Sequence, residues 1–138
     1  NGACTERFLS FYRRRALGGA GLIITGSCRF DEYGADEKSM SLASDEMIPG
    51  WKRFTDEIHK CGCPVAVQLY HAGRYVREKD VICKKPALSP SEGYSAFTRE
   101  TTPEMTLEQI EELKHNYFLG ARRAVRAGFD ALEISGSS

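Results

Sequence analysis

Apolar residues recur along the chain in two rhythms, one helical and one nearly continuous, and the pair repeats three times. In the first unit Phe8, Phe11 and Tyr12 follow Thr5, a residue suited to cap a helix, and Gly18-Gly19 ends the run. Residues 20–25 (AGLIIT) are then apolar at nearly every position, as expected for a parallel strand covered on both faces. The second helix is predicted to begin near Pro49, an allowed first-turn proline, with Trp51, Phe54 and Ile58 as its apolar stripe. Gly62 stands where a left-handed C-terminal cap is wanted, and residues 64–70 (PVAVQLY) form the next strand. In the third unit Thr106 and Gln109 make a capping-box pair, and Leu107, Ile110, Leu113, Tyr117 and Ala121 line one helix face. Gly128 ends that helix and residues 129–134 (FDALEI) read as a strand.

Helix followed by strand, repeated, implies parallel strands joined by crossover helices, an α/β class. A doubly wound sheet and a (β/α)8 barrel both fit the pattern, although a complete barrel needs roughly 250 residues. In either architecture ligand chemistry lies just past the C-terminal strand ends, which marks residues 26–30, 68–74 and 135–138. The connection from His71 to about Met105 is long and carries Pro86, Pro90 and Pro103. A lid or substrate-facing excursion and a solvated surface loop both fit it.

The 138 residues suit one compact domain. Nineteen Lys and Arg balance nineteen Asp and Glu, which argues against nucleic acid or an anionic membrane as the main partner. No apolar run approaches the ~20 residues of a membrane span. The chain starts Asn1-Gly2-Ala3-Cys4, with neither an initiator Met nor the pattern of a signal peptide, so a cytoplasmic piece of something longer is expected. The five cysteines read as reduced thiols. Cys61-Gly-Cys63 lies near His59, but its spacing is not the two-residue gap of zinc or redox motifs, and no metal is expected.

Gln68 is the most informative single residue, because it interrupts an otherwise apolar strand near its exit. A buried amide left unsatisfied costs about 1–3 kcal/mol, so it needs partners. Its donor and acceptor match the N–H/C=O edge of a flavin pyrimidine ring, although the pattern alone favours a glutamine bonded to neighbouring backbone. His71-Ala72-Gly73-Arg74 follows: a histidine that polarises a carbonyl and an arginine that pairs with phosphate, or a capping histidine and a salt-bridged arginine. Gly18-Gly19-Ala20-Gly21 follows a helix and opens a strand, the reverse of a dinucleotide fingerprint. Arg13 to Arg15 and Arg122, Arg123 and Arg126 are expected on solvated outer helix faces.

Four stretches together resemble the flavin oxidoreductases that include old yellow enzyme, 2-enoate reductase and 2,4-dienoyl-CoA reductase. They are FYRRRALGGAGLIITG, QLYHAGRY, KKPALSPS and MTLEQIEELKHNYFLGARRAVRAGFDALEISGSS, and they span nearly all of the chain. The resemblance implies a partial (β/α)8 TIM barrel over residues 1–138, incomplete at both ends. Its three strands would be the second, third and fourth of the barrel, with FMN at the C-terminal mouth.

By position, Gln68 would hydrogen-bond the flavin pyrimidine, Ser27 would lie beside the isoalloxazine ring, and Gly26 would keep that approach open. His71 and Arg74, in the family's HxGR turn, would face substrate. Many members carry a histidine pair, or a histidine and an asparagine, after the fourth strand, where this chain has Ser135 and Ser138. That departure is similar to the dienoyl-CoA reductase-like subgroup, whose proton-donating tyrosine would fall beyond Ser138. The implied chemistry is reduction of an activated C=C bond of a small-molecule alkene, with NADH or NADPH as electron donor. A 4Fe-4S cluster and FAD would belong only to regions outside this chain, and a homo-oligomer is left open. A truncated piece without activity of its own is the alternative, as is another parallel α/β barrel or binding module.

Overall fold

The computed structural model describes residues 2–36, 38–83 and 86–136. Helix α1 (Glu6–Leu17) starts where Thr5 Oγ1 accepts from the Phe8 N–H at 3.2 Å, and Arg14 and Arg15 sit in its last turn, where the helix dipole favours cations. Two short strands follow, β1 (Ile23–Ile24) and β2 (Cys28–Arg29), then β3 (Met40–Ser41) and a 3-10 turn at Asp45–Met47. Helix α2 (Ile48–His59) has Pro49 in its first turn, and Gly62 turns the chain at φ +72° into β4 (Val65–Tyr70). After 3-10 turns at Gly73–Tyr75 and Glu78–Asp80 come β5 (Gly93–Ser95) and β6 (Glu100–Thr102). Helix α3 (Leu107–Arg126) carries the full Thr106/Gln109 capping box, and β7 (Ala131–Ile134) closes the described chain.

The predicted parallel order is present. Strand β4 is central: β1 and β2 pair with one side of it, β7 with the other, and β3 adds beyond β2, all parallel. The predicted first strand is corrected, however. Only Ile23–Ile24 pair regularly with β4, and Thr25 N still donates to Ala66 O at 3.0 Å. The Gly26 N–H then turns to Tyr12 Oη at 2.8 Å, which interrupts the ladder until Cys28 and Arg29 rejoin it beside Leu69 and Tyr70. Nor is that strand covered on both faces, because Ile24 is 46% exposed. It lies on the same face as Ala66, the inner face, which the three helices do not pack against.

The core lies between the sheet's outer face and the helices. Val65, Val67 and Leu69 meet Leu9, Tyr12, Trp51, Phe54, Ile58 and Ala124 there. Phe8, Tyr12, Trp51, Phe54 and Phe129 form a chain of edge-on and tilted ring contacts, geometries that aromatic quadrupoles favour. Gly120 lets α3 approach closely: a Cβ there would stand 2.5 Å from Phe30 Cβ. Helix α3 joins the core only from Leu113 onward, so Leu107, expected in its apolar stripe, is 79% exposed.

The described residues of the long connection carry structure of their own. Ala72, Val76, Val81 and Ala87 make a second small core, and β5 and β6 pair as an antiparallel hairpin that the sequence pattern did not predict. Arg123 also departs from expectation. Instead of facing solvent, it donates to Leu42 O and to the Asp45 carboxylate, which Arg126 also grips. Among the described residues no helix is long and apolar enough to cross a membrane.

Candidate functional site

Parallel register places Gln68 opposite Glu133 on β7, and the β2–β4 pairing of Cys28 with Leu69 brings Ser27 alongside Gln68 on its other flank. The side chains follow the backbone. Ser27 Oγ donates to Gln68 Oε1 at 3.0 Å, and Gln68 Nε2 donates to Glu133 Oε1 at 3.2 Å. Ser27 just before β2, Gln68 on β4 and Glu133 on β7 thus form one hydrogen-bonded row across the inner face, near the strand exits. An amide oxygen has two lone pairs and an amide nitrogen two hydrogens, so Gln68 keeps one acceptor and one donor site beyond this row.

Gly26 and Ser27 are exposed, and the atom nearest to a Cβ built on Gly26 is Tyr12 Oη at 3.7 Å, so the backbone there remains approachable. Glu133 was missed by sequence reasoning. Residues 129–134 read only as a strand, and the signal lay in the register of Glu133 with Gln68, which a single strand does not reveal.

The HAGR turn divides its residues. His71 is half-buried, its ring 5.9 Å from that of Phe30, and its Nδ1 accepts from the Gly73 N–H at 3.0 Å. That acceptor role places the neutral ring's hydrogen on Nε2, which is buried without a hydrogen-bond partner. Burial holds the His71 pKa below its ordinary value, opposed by the nearby Asp31 carboxylate. Asp31 is itself buried; its Oδ1 accepts from the Tyr33 and Gly34 N–H groups, and its Oδ2 has no partner. The Ala72 N–H donates to Gly34 O at 2.6 Å, tying the loop after β2 to the exit of β4. His71 makes no described hydrogen bond to the row of Ser27, Gln68 and Glu133.

Arg74 is exposed and lies against a cleft of ≈ 420 Å³, where Tyr75, Ser89, Ser91 and Gly136 also contribute. Gly136 follows β7, so the cleft opens beside the strand exits. Among the described residues Arg74 pairs with no carboxylate. Ser135 is half-buried at the end of β7, its N–H donating to Leu69 O at 3.0 Å. Ser138 lies outside the described residues.

The opposite ends of the strands are built for stability. Asp130 Oδ2 accepts from Val65 N at 2.8 Å and pairs with His59 Nε2 at 2.7 Å, and that backbone N–H holds the carboxylate below its ordinary pKa. The thiols of Cys61 and Cys63 donate to the carbonyls of Glu57 and Pro64. Burial pushes the Cys28 thiol up, away from the thiolate a nucleophile needs.

A model of the NADH:flavin oxidoreductase / NADH oxidase family matches residues 1–138. A metal reductase of Desulforamulus reducens is 41% identical over 138 residues, covering 100% of this chain and 20% of that protein. An NADH:acrylate oxidoreductase of Vibrio harveyi is 33% identical over 139 residues, covering 100% of this chain and 14% of that protein. The chain thus spans a fifth or less of the length of these two relatives. Among solved structures, old yellow enzyme from Pichia sp. AKU4542 superposes with a TM-score of 0.89 at 31% identity, over 96% of this chain and 37% of that one.

Proposed function

Because the chain belongs to the NADH:flavin oxidoreductase / NADH oxidase family, we propose that the whole protein uses FMN and NADH or NADPH to reduce an activated carbon–carbon double bond. The observation that carries this reading is the free donor and acceptor of Gln68, held at the strand exits by Ser27 and Glu133. A flavin pyrimidine edge presents carbonyl oxygens on either side of an N–H, and one amide can serve both kinds of atom. The residues fit the group in a second respect: with Gly26 open and Ser27 exposed, backbone can lie close to a flat ring.

FMN, when bound, supplies hydride transfer from the nicotinamide to the alkene's β-carbon. The chain's own residues do the rest. Gln68 orients the ring edge, and Ser27 holds Gln68. Arg74 gives the cleft beside Gly136 a positive charge that draws anionic groups of donor or substrate toward the strand exits. Ser135, half-buried just past β7, brings no titratable group to the strand exits, and the proton for the α-carbon is assigned to a residue outside this chain, as the family resemblance implies. Any 4Fe-4S cluster or FAD would belong to other parts of the whole protein, whose substrate is a small enone or an enoyl or dienoyl thioester of the cytoplasm.

The test is spectroscopic. The whole protein should purify yellow, bleach with NADH or NADPH in the absence of oxygen, and regain its colour when an enone or enoyl thioester is added. A protein that binds no FMN, or a reduced form that no activated alkene reoxidises, would contradict the reading.

A second reading concerns the 138-residue segment by itself. Ile134 is 69% and Leu132 39% exposed on β7, an edge strand with apolar side chains uncovered. Such edges invite association. The segment alone is expected to associate and to hold FMN poorly. A monodisperse yellow monomer on a sizing column would overturn this.

A further inference from the structure

We propose that Glu133 is a positioning residue which sets the sense of the Gln68 amide, and with it the order of donor and acceptor shown to the flavin. The proposal rests on the flavin reading above and adds a role that reading does not contain. The two ends of a glutamine amide have nearly the same shape, so sterics alone allow either orientation. A hydroxyl cannot choose between them, because Ser27 Oγ can donate or accept. A carboxylate offers acceptors only, so the neighbour that Glu133 meets must be Nε2. The observed bond, Gln68 Nε2 to Glu133 Oε1 at 3.2 Å, is the orientation this argument requires, and Ser27 then donates to Oε1 at 3.0 Å.

Glu133 is placed for this task. It is half-buried and register-paired with Gln68, and among the described residues no Lys or Arg pairs with it. Two consequences follow for the ring edge. The remaining Nε2 hydrogen lies on the β7 side and the remaining Oε1 lone pair on the Ser27 side, so for a ring held in one position a reversed amide would set its donor against the ring N–H. A fixed negative charge one side chain away also disfavours adding negative charge to the ring, which lowers the potential at which it is reduced.

The experiment uses the whole protein with Glu133→Gln, Glu133→Leu and Gln68→Leu. For each, FMN is titrated into apoprotein by fluorescence quenching, the two-electron midpoint potential of bound FMN is measured, and the apoprotein is melted. Glu133→Leu is expected to weaken FMN binding about tenfold, the scale of one charge-assisted hydrogen bond lost together with the orientation it sets. Glu133→Gln keeps an acceptor for Gln68 Nε2, so it should recover most of that affinity while raising the midpoint potential, because the charge is gone. A purely structural role would lower the apoprotein melting temperature and leave the potential unmoved, which would overturn the proposal. Should Glu133→Leu fail to fold, the potential of Glu133→Gln still decides. If Gln68→Leu weakens FMN binding while both Glu133 variants match the unsubstituted protein in affinity and potential, the flavin reading survives and the role of Glu133 does not. If Gln68→Leu also changes nothing, both are lost.

Discussion

On the outer face of β4, Val65, Val67 and Leu69 are sealed beneath three helices and a run of aromatic rings. On the inner face of the same strand, one residue along from Val67, Gln68 holds hydrogen bonds to Ser27 on one flank and to Glu133 of β7 on the other, and keeps capacity to spare. One face has exhausted its interactions within the chain, and the other has not. The contrast shows how a strand of period two can devote alternate residues to holding the fold and to meeting a ligand. Substitutions on the outer side should therefore act on stability and those on the inner side on binding.

The sharpest way to break the contrast is Trp51→Ala. Trp51 is fully buried, and its indole N–H donates to Ser41 O at 2.7 Å, so truncation should cost about 3–5 kcal/mol in a denaturant titration. A loss below about 1 kcal/mol would show that the outer face is not the principal core. Next in size is Gly120→Leu, which drives a side chain into Phe30 and should cost about 1–3 kcal/mol. Gln68→Leu is expected to alter stability by less than about 1 kcal/mol, since its partners remain partly solvated.

The smallest effect concerns pH. His71 is half-buried with its pKa lowered in the folded state, chiefly by desolvation, so the unfolded chain takes up its proton first. Its contribution to stability is complete above the unfolded value of about 6.5 and is lost as pH falls below it. Melting temperatures between pH 7.5 and roughly 5.5 should drop more steeply for the unsubstituted protein than for His71→Gln. Equal slopes would remove His71 as the cause.

What could be read from the sequence was local. The helix caps at Thr5 and Thr106 and the turn at Gly62 involve residues within a few positions of one another, and each stands where expected. Gln68 was legible because a polar side chain in an apolar strand has to be explained. The break at Gly26 was not, because its cause is a hydroxyl 14 residues earlier, on Tyr12. Arg123 looked solvated because its partner, Asp45, is 78 residues away. The β5–β6 hairpin escaped because three-residue strands such as GYS and ETT carry too little alternation to show a period. Glu133 escaped for the same reason as Arg123, since its meaning depends on which strand lies next to it.

The most direct measurement is FMN affinity of the whole protein with and without Gln68→Leu, taken together with the midpoint potential of the bound flavin. An amide that pairs with the ring edge requires weaker binding and a shifted potential in the variant, at nearly unchanged melting temperature of the apoprotein. Identical affinity and potential in the two proteins would contradict it, and the inner face of β4 would then need a different ligand.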